Sequence, residues 1–289
     1  MMKIYVFKPK KMLLLTGDTA RFILDSDRRE IEVPFNLGKY QLKIHVGRKG
    51  AKLPDGTVIG EDALKWMASD PWGIYAVESD KVYKLAWYSG RMYLKLRAVK
   101  SYTAPTLELD GIHMHRIEGT TPWRDSREKV FALGVKRGDK VLDVCTGLGY
   151  TAIHALRMHA SKIVTIEKHL EVLEMAEYNP WSWELADKRI AIVLEDAFTA
   201  VKSLEGSYFE KVIHDPPRFS RAGELYSLEF YSELYRVLKP GGKLFHYTGA
   251  PRRVRGIDIL GGVSKRLKLA GFKVRIRRDL MGILAEKPR

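Results

Sequence analysis

Cysteine is nearly absent. Cys145 is the only one in 289 residues, which excludes an internal disulfide and any cysteine-cluster metal site, so no metal is expected. Side-chain amides are almost as scarce, with only Asn36, Gln41 and Asn179. Their depletion beside abundant Lys and Glu points to a hyperthermophile. No run of about 18 apolar residues occurs, so no membrane span is expected. The opening Met1-Met2-Lys3-Ile4-Tyr5 has neither a long apolar core nor a small-residue cleavage site, and reads as a cytoplasmic start rather than a secretion signal. Acidic residues are in deficit, 35 against 50 Lys+Arg, for a net charge of +15.

The excess of positive charge is concentrated. The 40 residues from Ala250 to Arg289 hold 12 basic residues against Asp258, Asp279 and Glu286. A basic surface of this kind favours a polyanionic partner. An apolar content of 45% is ordinary for a globular protein and excludes wholesale disorder.

Two rhythms divide the chain. Up to about residue 115, short apolar or alternating runs are broken by Pro, Gly and Asp: Lys3–Phe7, Met12–Leu15, Phe22–Leu24, Ile31–Phe35 and Tyr40–Val46 read as strands. Lys81–Tyr88 and Arg91–Lys100 flank Ser89-Gly90 as a hairpin. Its second strand turns Arg91, Tyr93, Lys95 and Arg97 to one face, a stripe suited to single-stranded nucleic acid. From residue 116, and clearly from Asp125, strands and helices alternate. Asp125-Ser126-Arg127-Glu128 reads as a capping box, and a parallel α/β sheet follows. The expected division is a β-rich subdomain over 1–115, able to contact RNA, and a second domain over 116–289.

Val141-Leu142-Asp143-Val144-Cys145-Thr146-Gly147-Leu148-Gly149 is a strand entering a glycine-rich turn, and a helix follows from Tyr150. Such a turn lets a ligand approach the backbone and the helix N-terminus. The spacing of Gly147, Gly149 and Ala152 also fits a dinucleotide-binding fingerprint. Glu167, ending the second strand, suits a ribose in either case. Glu195-Asp196 ends the third strand, where a carboxylate can accept from an adenine amine. The last two strands read as an antiparallel pair, which NAD domains lack.

Together these residues resemble the class I S-adenosyl-L-methionine-dependent methyltransferases, over roughly residues 125–289. The resemblance implies a Rossmann-like seven-stranded sheet behind the N-terminal mostly-β subdomain, with S-adenosyl-L-methionine as cofactor. It puts Asp143, Thr146, Gly147 and Gly149 around the methionine part, Glu167 on the ribose and Asp196 on the adenine. Cys145 stands where that family often has Gly.

The fourth strand ends His214-Asp215-Pro216-Pro217-Arg218-Phe219. This resembles the Asp/Asn-Pro-Pro-aromatic motif of amino methyltransferases acting on exocyclic base amines. It implies Asp215, Pro216 and Pro217 as the catalytic turn. The Asp215 carboxylate and the Pro216 carbonyl would accept the two N–H bonds of the acceptor amine. Arg218 stands in the usual aromatic position, so Arg218 or Phe219 would stack on the base. Arg275 and Arg277 are the expected phosphate contacts. As a whole the chain is similar to an archaeal family of predicted methyltransferases of this two-part build. The expected substrate is RNA, with cytidine N4 in ribosomal RNA first. The alternatives are guanosine N2 or adenosine N6 in transfer or ribosomal RNA, a small-molecule or protein acceptor, and an RNA-binding protein with a vestigial fold.

Overall fold

The computed structural model describes residues 2–79, 81–249 and 258–289. Arg252, Arg253 and Arg255 of the basic tail lie outside the described residues. The chain divides into two units that interleave in sequence. One holds Met1–Phe7, Arg124–Leu173 and Glu184–Arg289; the other holds Lys8–Trp123 and Glu174–Trp183.

The first unit is a mixed eight-stranded sheet, in spatial order Ile4–Tyr5, Ile190–Leu194, Lys162–Glu167, Lys140–Val144, Phe209–His214, Leu238–Tyr247, Gly282–Glu286 and Lys273–Arg277. Seven of these strands come from residues 140–286, as the resemblance implies. The middle five are parallel, and the last two are antiparallel. The eighth corrects the sequence reading: Ile4–Tyr5 pairs antiparallel with Ile192 and Val193 instead of joining the N-terminal subdomain. The edge of a parallel sheet offers unpaired backbone groups, and the first residues take them up.

The parallel strands are apolar on both faces because helices cover both. Helix Leu228–Val237 buries Phe230, Tyr231, Leu234 and Val237, one face at helical spacing. They pack with Val212 and Leu244 of the sheet. A 3₁₀ turn, Gly223–Tyr226, precedes this helix, and the Ser227 hydroxyl caps it by accepting from the Phe230 N–H at 3.1 Å.

The expected capping box at Asp125 is not one. The helix runs Pro122–Leu133 and opens on its proline, whose missing N–H costs nothing in the first turn. Asp125 therefore lies inside the helix, and its side chain is used elsewhere.

The second unit is mostly β, with small antiparallel sheets of four, four and three strands and two helices, Gly17–Leu24 and Glu61–Ala68. Phe22–Leu24, expected as a strand, ends the first helix. The Thr16 hydroxyl accepts from the Thr19 N–H at 3.1 Å and starts it, and Ala20 and Ile23 are buried on its inner face. The expected long hairpin is shorter: Ala86–Tyr88 pairs with Tyr93–Arg97, while Lys81–Lys84 pairs with Ile74–Glu78.

Candidate functional site

In an open α/β sheet, ligands bind beyond the carboxyl ends of the strands where strand order reverses. Here that point lies between Lys140–Val144 and Phe209–His214. Three backbone residues after the first of these strands take positive φ: Cys145 at 72°, Gly147 at 53° and Gly149 at 76°. Only glycine adopts such φ without steric cost, so Cys145 stores backbone strain in this turn. A Cβ on Gly149 would come within 2.5 Å of the Leu185 side chain.

Hydrogen bonds fix the walls of this turn. Glu167 accepts from the Gly147 N–H at 2.9 Å on one oxygen, and from the Lys168 and His169 N–H groups at 2.9 and 3.0 Å on the other. A carboxylate has about four acceptor positions, so room remains for a hydroxyl donor. Burial nonetheless pushes Glu167 above the usual carboxylate range. Asp143 is fully buried and accepts from the Thr151 and Thr165 hydroxyls at 2.7 and 2.8 Å. Its burial outweighs those bonds and raises it to about 7. The Thr146 hydroxyl shares 2.6 Å with that of Thr165, and its N–H donates to the Ile166 carbonyl. Asp196 caps helix Ala197–Lys202 by accepting from Phe198 and Thr199, and its other oxygen lies 3.3 Å from the Lys168 ammonium.

Burial, followed by Glu167, Asp143, Asp215 and Asp196, raises the Cys145 thiol well above its ordinary value. Four carboxylates thus act on one point beside the glycine turn. That set of acceptors suits a ligand carrying a cationic sulfur, a ribose and an adenine amine.

The acceptor turn meets the same corner. The Asp215 N–H reaches the Val144 carbonyl at 3.4 Å, directly before the glycine turn. Lys129, which sequence reasoning missed, is buried between two carboxylates. Its ammonium lies 2.8 Å from Asp125 and 2.7 Å from Asp215, and 3.7 Å from the Tyr247 ring centroid. Burial alone would lower it, but the two carboxylates, Asp215 first, raise it far above the ordinary lysine value. The Asp125-Lys129 spacing of four residues on one helix was the available signal; the distant partner, Asp215, was not legible. One oxygen of Asp215 is thus held by Lys129, and the side chain retains 21% exposure.

Tyr226 secures the rest of the turn. Its hydroxyl donates to the Pro217 carbonyl at 2.8 Å, and its ring meets Phe219 edge-on at 5.4 Å. Pro216 is buried, while Pro217, Arg218 and Phe219 are exposed. His214, beneath the turn, stacks on His246 at 4.2 Å. Neither of its ring nitrogens has a hydrogen-bond partner among the described residues. Burial depresses it well below the usual histidine range, so it is a neutral packing group. Of the two expected phosphate contacts, Arg275 is exposed on the edge strand, whereas Arg277 is paired with Asp279 at 2.6 Å.

Comparison with known proteins agrees with this geometry. Residues 171–282 match a family model described as S-adenosyl-L-methionine-dependent methyltransferase. An uncharacterized protein of Methanocaldococcus jannaschii, MJ1233, is 45% identical over 96% of both chains. Putrescine N-methyltransferase 3 of Nicotiana tabacum is 26% identical over 56% of this chain and 44% of its own. Among solved structures, a spermidine synthase in complex with the transition-state analogue AdoDATO superposes with a TM-score of 0.58. It is 20% identical, over 70% of this chain and 72% of that one, a likeness of fold. The chain therefore belongs to the family of the M. jannaschii protein, and its residues 171–282 carry the match to the S-adenosyl-L-methionine-dependent methyltransferase model.

Proposed function

We propose that the chain methylates an exocyclic amine of an RNA base, with cytidine N4 in ribosomal RNA as the first candidate and guanosine N2 or adenosine N6 as alternatives. One observation carries the reading. The Asp215 N–H bonds to Val144, so the Asp-Pro-Pro turn sits at the mouth of the cofactor turn. Bound there, S-adenosyl-L-methionine supplies a methyl group activated by its positive sulfur.

The residues of the chain would act on the acceptor. A base amine is a poor nucleophile because its lone pair is conjugated with the ring. The free oxygen of Asp215 and the carbonyl of Pro216 would accept its two N–H bonds and draw the nitrogen toward a tetrahedral shape. Its lone pair would then face the methyl group, so that the N–C bond forms as the S–C bond breaks with S-adenosyl-L-homocysteine leaving, and the amine proton would pass by way of the Asp215 carboxylate to solvent. Lys129 fixes the carboxylate rotamer, and Tyr226 fixes the proline turn. Alignment of this kind, without a covalent intermediate, supplies most of the acceleration. Phe219 is the better candidate to stack on the base, since Tyr226 already orients its ring.

A second reading is favoured by the likeness to putrescine N-methyltransferases: the acceptor would be an aliphatic diamine. The carboxylate-rich corner suits a cation. The exposed Arg218 and Arg221, and the Lys129 charge beside Asp215, do not.

One experiment separates the two. Tritiated methyl transfer is measured in parallel to deproteinised small-subunit RNA, transfer RNA and putrescine, followed by nucleoside analysis. Labelled N4-methylcytidine is the expected product. Label in putrescine alone overturns the RNA reading, and labelled methylguanosine alone overturns the cytidine choice. Asp215→Ala should abolish transfer while calorimetry still registers S-adenosyl-L-methionine binding; unchanged turnover removes Asp215 from the mechanism.

A further inference from the structure

In the unit formed by Lys8–Trp123 and Glu174–Trp183, strands Ala86–Tyr88, Tyr93–Arg97, Thr106–Leu109 and Ile112–His113 form one antiparallel sheet. Side chains alternate across it. Leu94, Leu96 and Leu107 are fully buried on the inner face. Tyr93, Lys95 and Arg97 therefore share the outer face, with Tyr88 directly opposite Tyr93 in register.

The charges of this face are already spoken for. Lys95 and Lys84 both reach Asp70, at 2.8 and 2.7 Å. Arg97 lies 3.7 Å from Glu108 and 5.5 Å from the Trp72 ring centroid. The sequence stripe of cations is thus compensated at two of its positions. What stays uncovered is aromatic: Tyr88 is 67% exposed, Trp72 47% and Tyr93 41%. The Tyr88 hydroxyl donates to the Gly90 carbonyl at 3.1 Å, which tethers that ring at the hairpin turn. The Trp72 carbonyl accepts from the Ala98 N–H at 2.8 Å, fixing Trp72 beside the end of the central strand.

The Tyr pair and the Arg97–Trp72 pair mark opposite ends of the strand. Four residues separate Tyr93 from Arg97, about 13 Å of extended chain. That span is within reach of two or three unstacked nucleotides. Arg91 is exposed at the turn and makes no ion pair among the described residues. Flat rings spaced along a strand, with the uncompensated Arg91 at the turn, complement bases joined by a negative backbone. A protein partner with an apolar patch would need the rings contiguous, whereas the ion pairs of Lys95 with Asp70 and Arg97 with Glu108 lie between them.

We propose that this face is a stacking platform for single-stranded RNA, with Tyr88, Tyr93 and Trp72 as the base-bearing rings. The proposal rests on the reading of RNA as substrate, and it adds where and how a strand is held outside the catalytic corner. Most of the binding there comes from stacking, and less from phosphate neutralisation.

The test uses the full chain and a fluorescein-labelled single-stranded RNA 12-mer, followed by anisotropy at several salt concentrations. Tyr93→Ala and Trp72→Ala should each weaken binding about fivefold or more, with no change in the slope of log K against log salt. Arg91→Gln should reduce that slope by about 0.7. All three residues are exposed, and an unchanged thermal midpoint certifies folding. A duplex of the same sequence should bind more weakly, because its bases cannot stack on the rings. Aromatic variants that bind like the wild type, a duplex bound equally well, or no binding of the 12-mer at all would each overturn the platform. In the last case, methyl transfer to ribosomal RNA and to putrescine judges the catalytic reading separately.

Discussion

Replacing Lys129 by methionine tests the logic of the acceptor corner most directly. The lysine side chain is 4% exposed and lies between Asp125, at 3%, and Asp215, at 21%. Methionine fills a similar volume but removes the cation that lies 2.8 Å from the buried Asp125 and 2.7 Å from Asp215. Breaking a buried pair by removing one partner costs about 3–5 kcal/mol. At about 2–4 °C per kcal/mol for a unit of this size, the transition of the sheet-containing unit should fall by about 6–20 °C. Adding Asp125→Asn should recover part of the loss, because one of the two carboxylates facing the lost cation is then neutral. Lys129→Arg should fall in between, since a guanidinium keeps the charge but not the shape. Differential scanning calorimetry at neutral pH and low salt reads the wild type, these three variants and Asp125→Asn alone. A loss below about 1 kcal/mol for Lys129→Met, or additivity of the two substitutions, refutes the triad. The pH dependence carries the same signature with a definite sign. The folded-state value of Lys129 is raised above the unfolded one, so its stabilisation is complete below about pH 10.4 and lost as the pH climbs beyond that.

Other outcomes follow from the same corner. Asp143 is raised to about 7 in the folded chain, so the native state binds more protons than the unfolded one between about pH 4 and 7. Stability should fall across that window as pH rises, and Asp143→Asn should flatten the part of the urea midpoint's pH dependence that Asp143 causes; an unaltered slope removes Asp143 from it. Gly149→Ala combines a φ of 76° with a Cβ only 2.5 Å from Leu185. It should cost about 2 kcal/mol or more and weaken S-adenosyl-L-methionine binding by about tenfold, and normal calorimetric affinity would show that the turn tolerates a side chain. Tyr226→Phe deletes the 2.8 Å bond to the Pro217 carbonyl. About 1 kcal/mol of stability should be lost, and kcat should fall several-fold with cofactor affinity unchanged; a shift confined to cofactor affinity would contradict its role on the acceptor side.

Much of the sheet-containing unit was written in consecutive residues. The strand Val141–Val144 is apolar except for Asp143 because both its faces are covered, and the following glycines mark a turn no other residue enters freely. The positions of Glu167, ending its strand, and of Asp196, two residues beyond the next strand, follow from the local strand pattern. Those features are local: strand, turn and helix start lie within a dozen residues, and φ preferences and hydrophobic periodicity act at that range.

What the sequence left open is long-range. Asp125-Ser126-Arg127-Glu128 has the residue types of a capping box, yet Pro122 starts the helix a turn earlier and leaves Asp125 facing Lys129. The partner of Lys129, Asp215, is 86 residues away. Ile4–Tyr5 looked like part of the N-terminal strands, but a sheet edge about 190 residues later takes it. The Lys95 and Arg97 charges seemed free until Asp70 and Glu108 came beside them. A charge or a strand edge has no fixed sequence distance to its partner. Only folding brings a buried cation against two carboxylates, and only that arrangement decides how the acceptor corner is held.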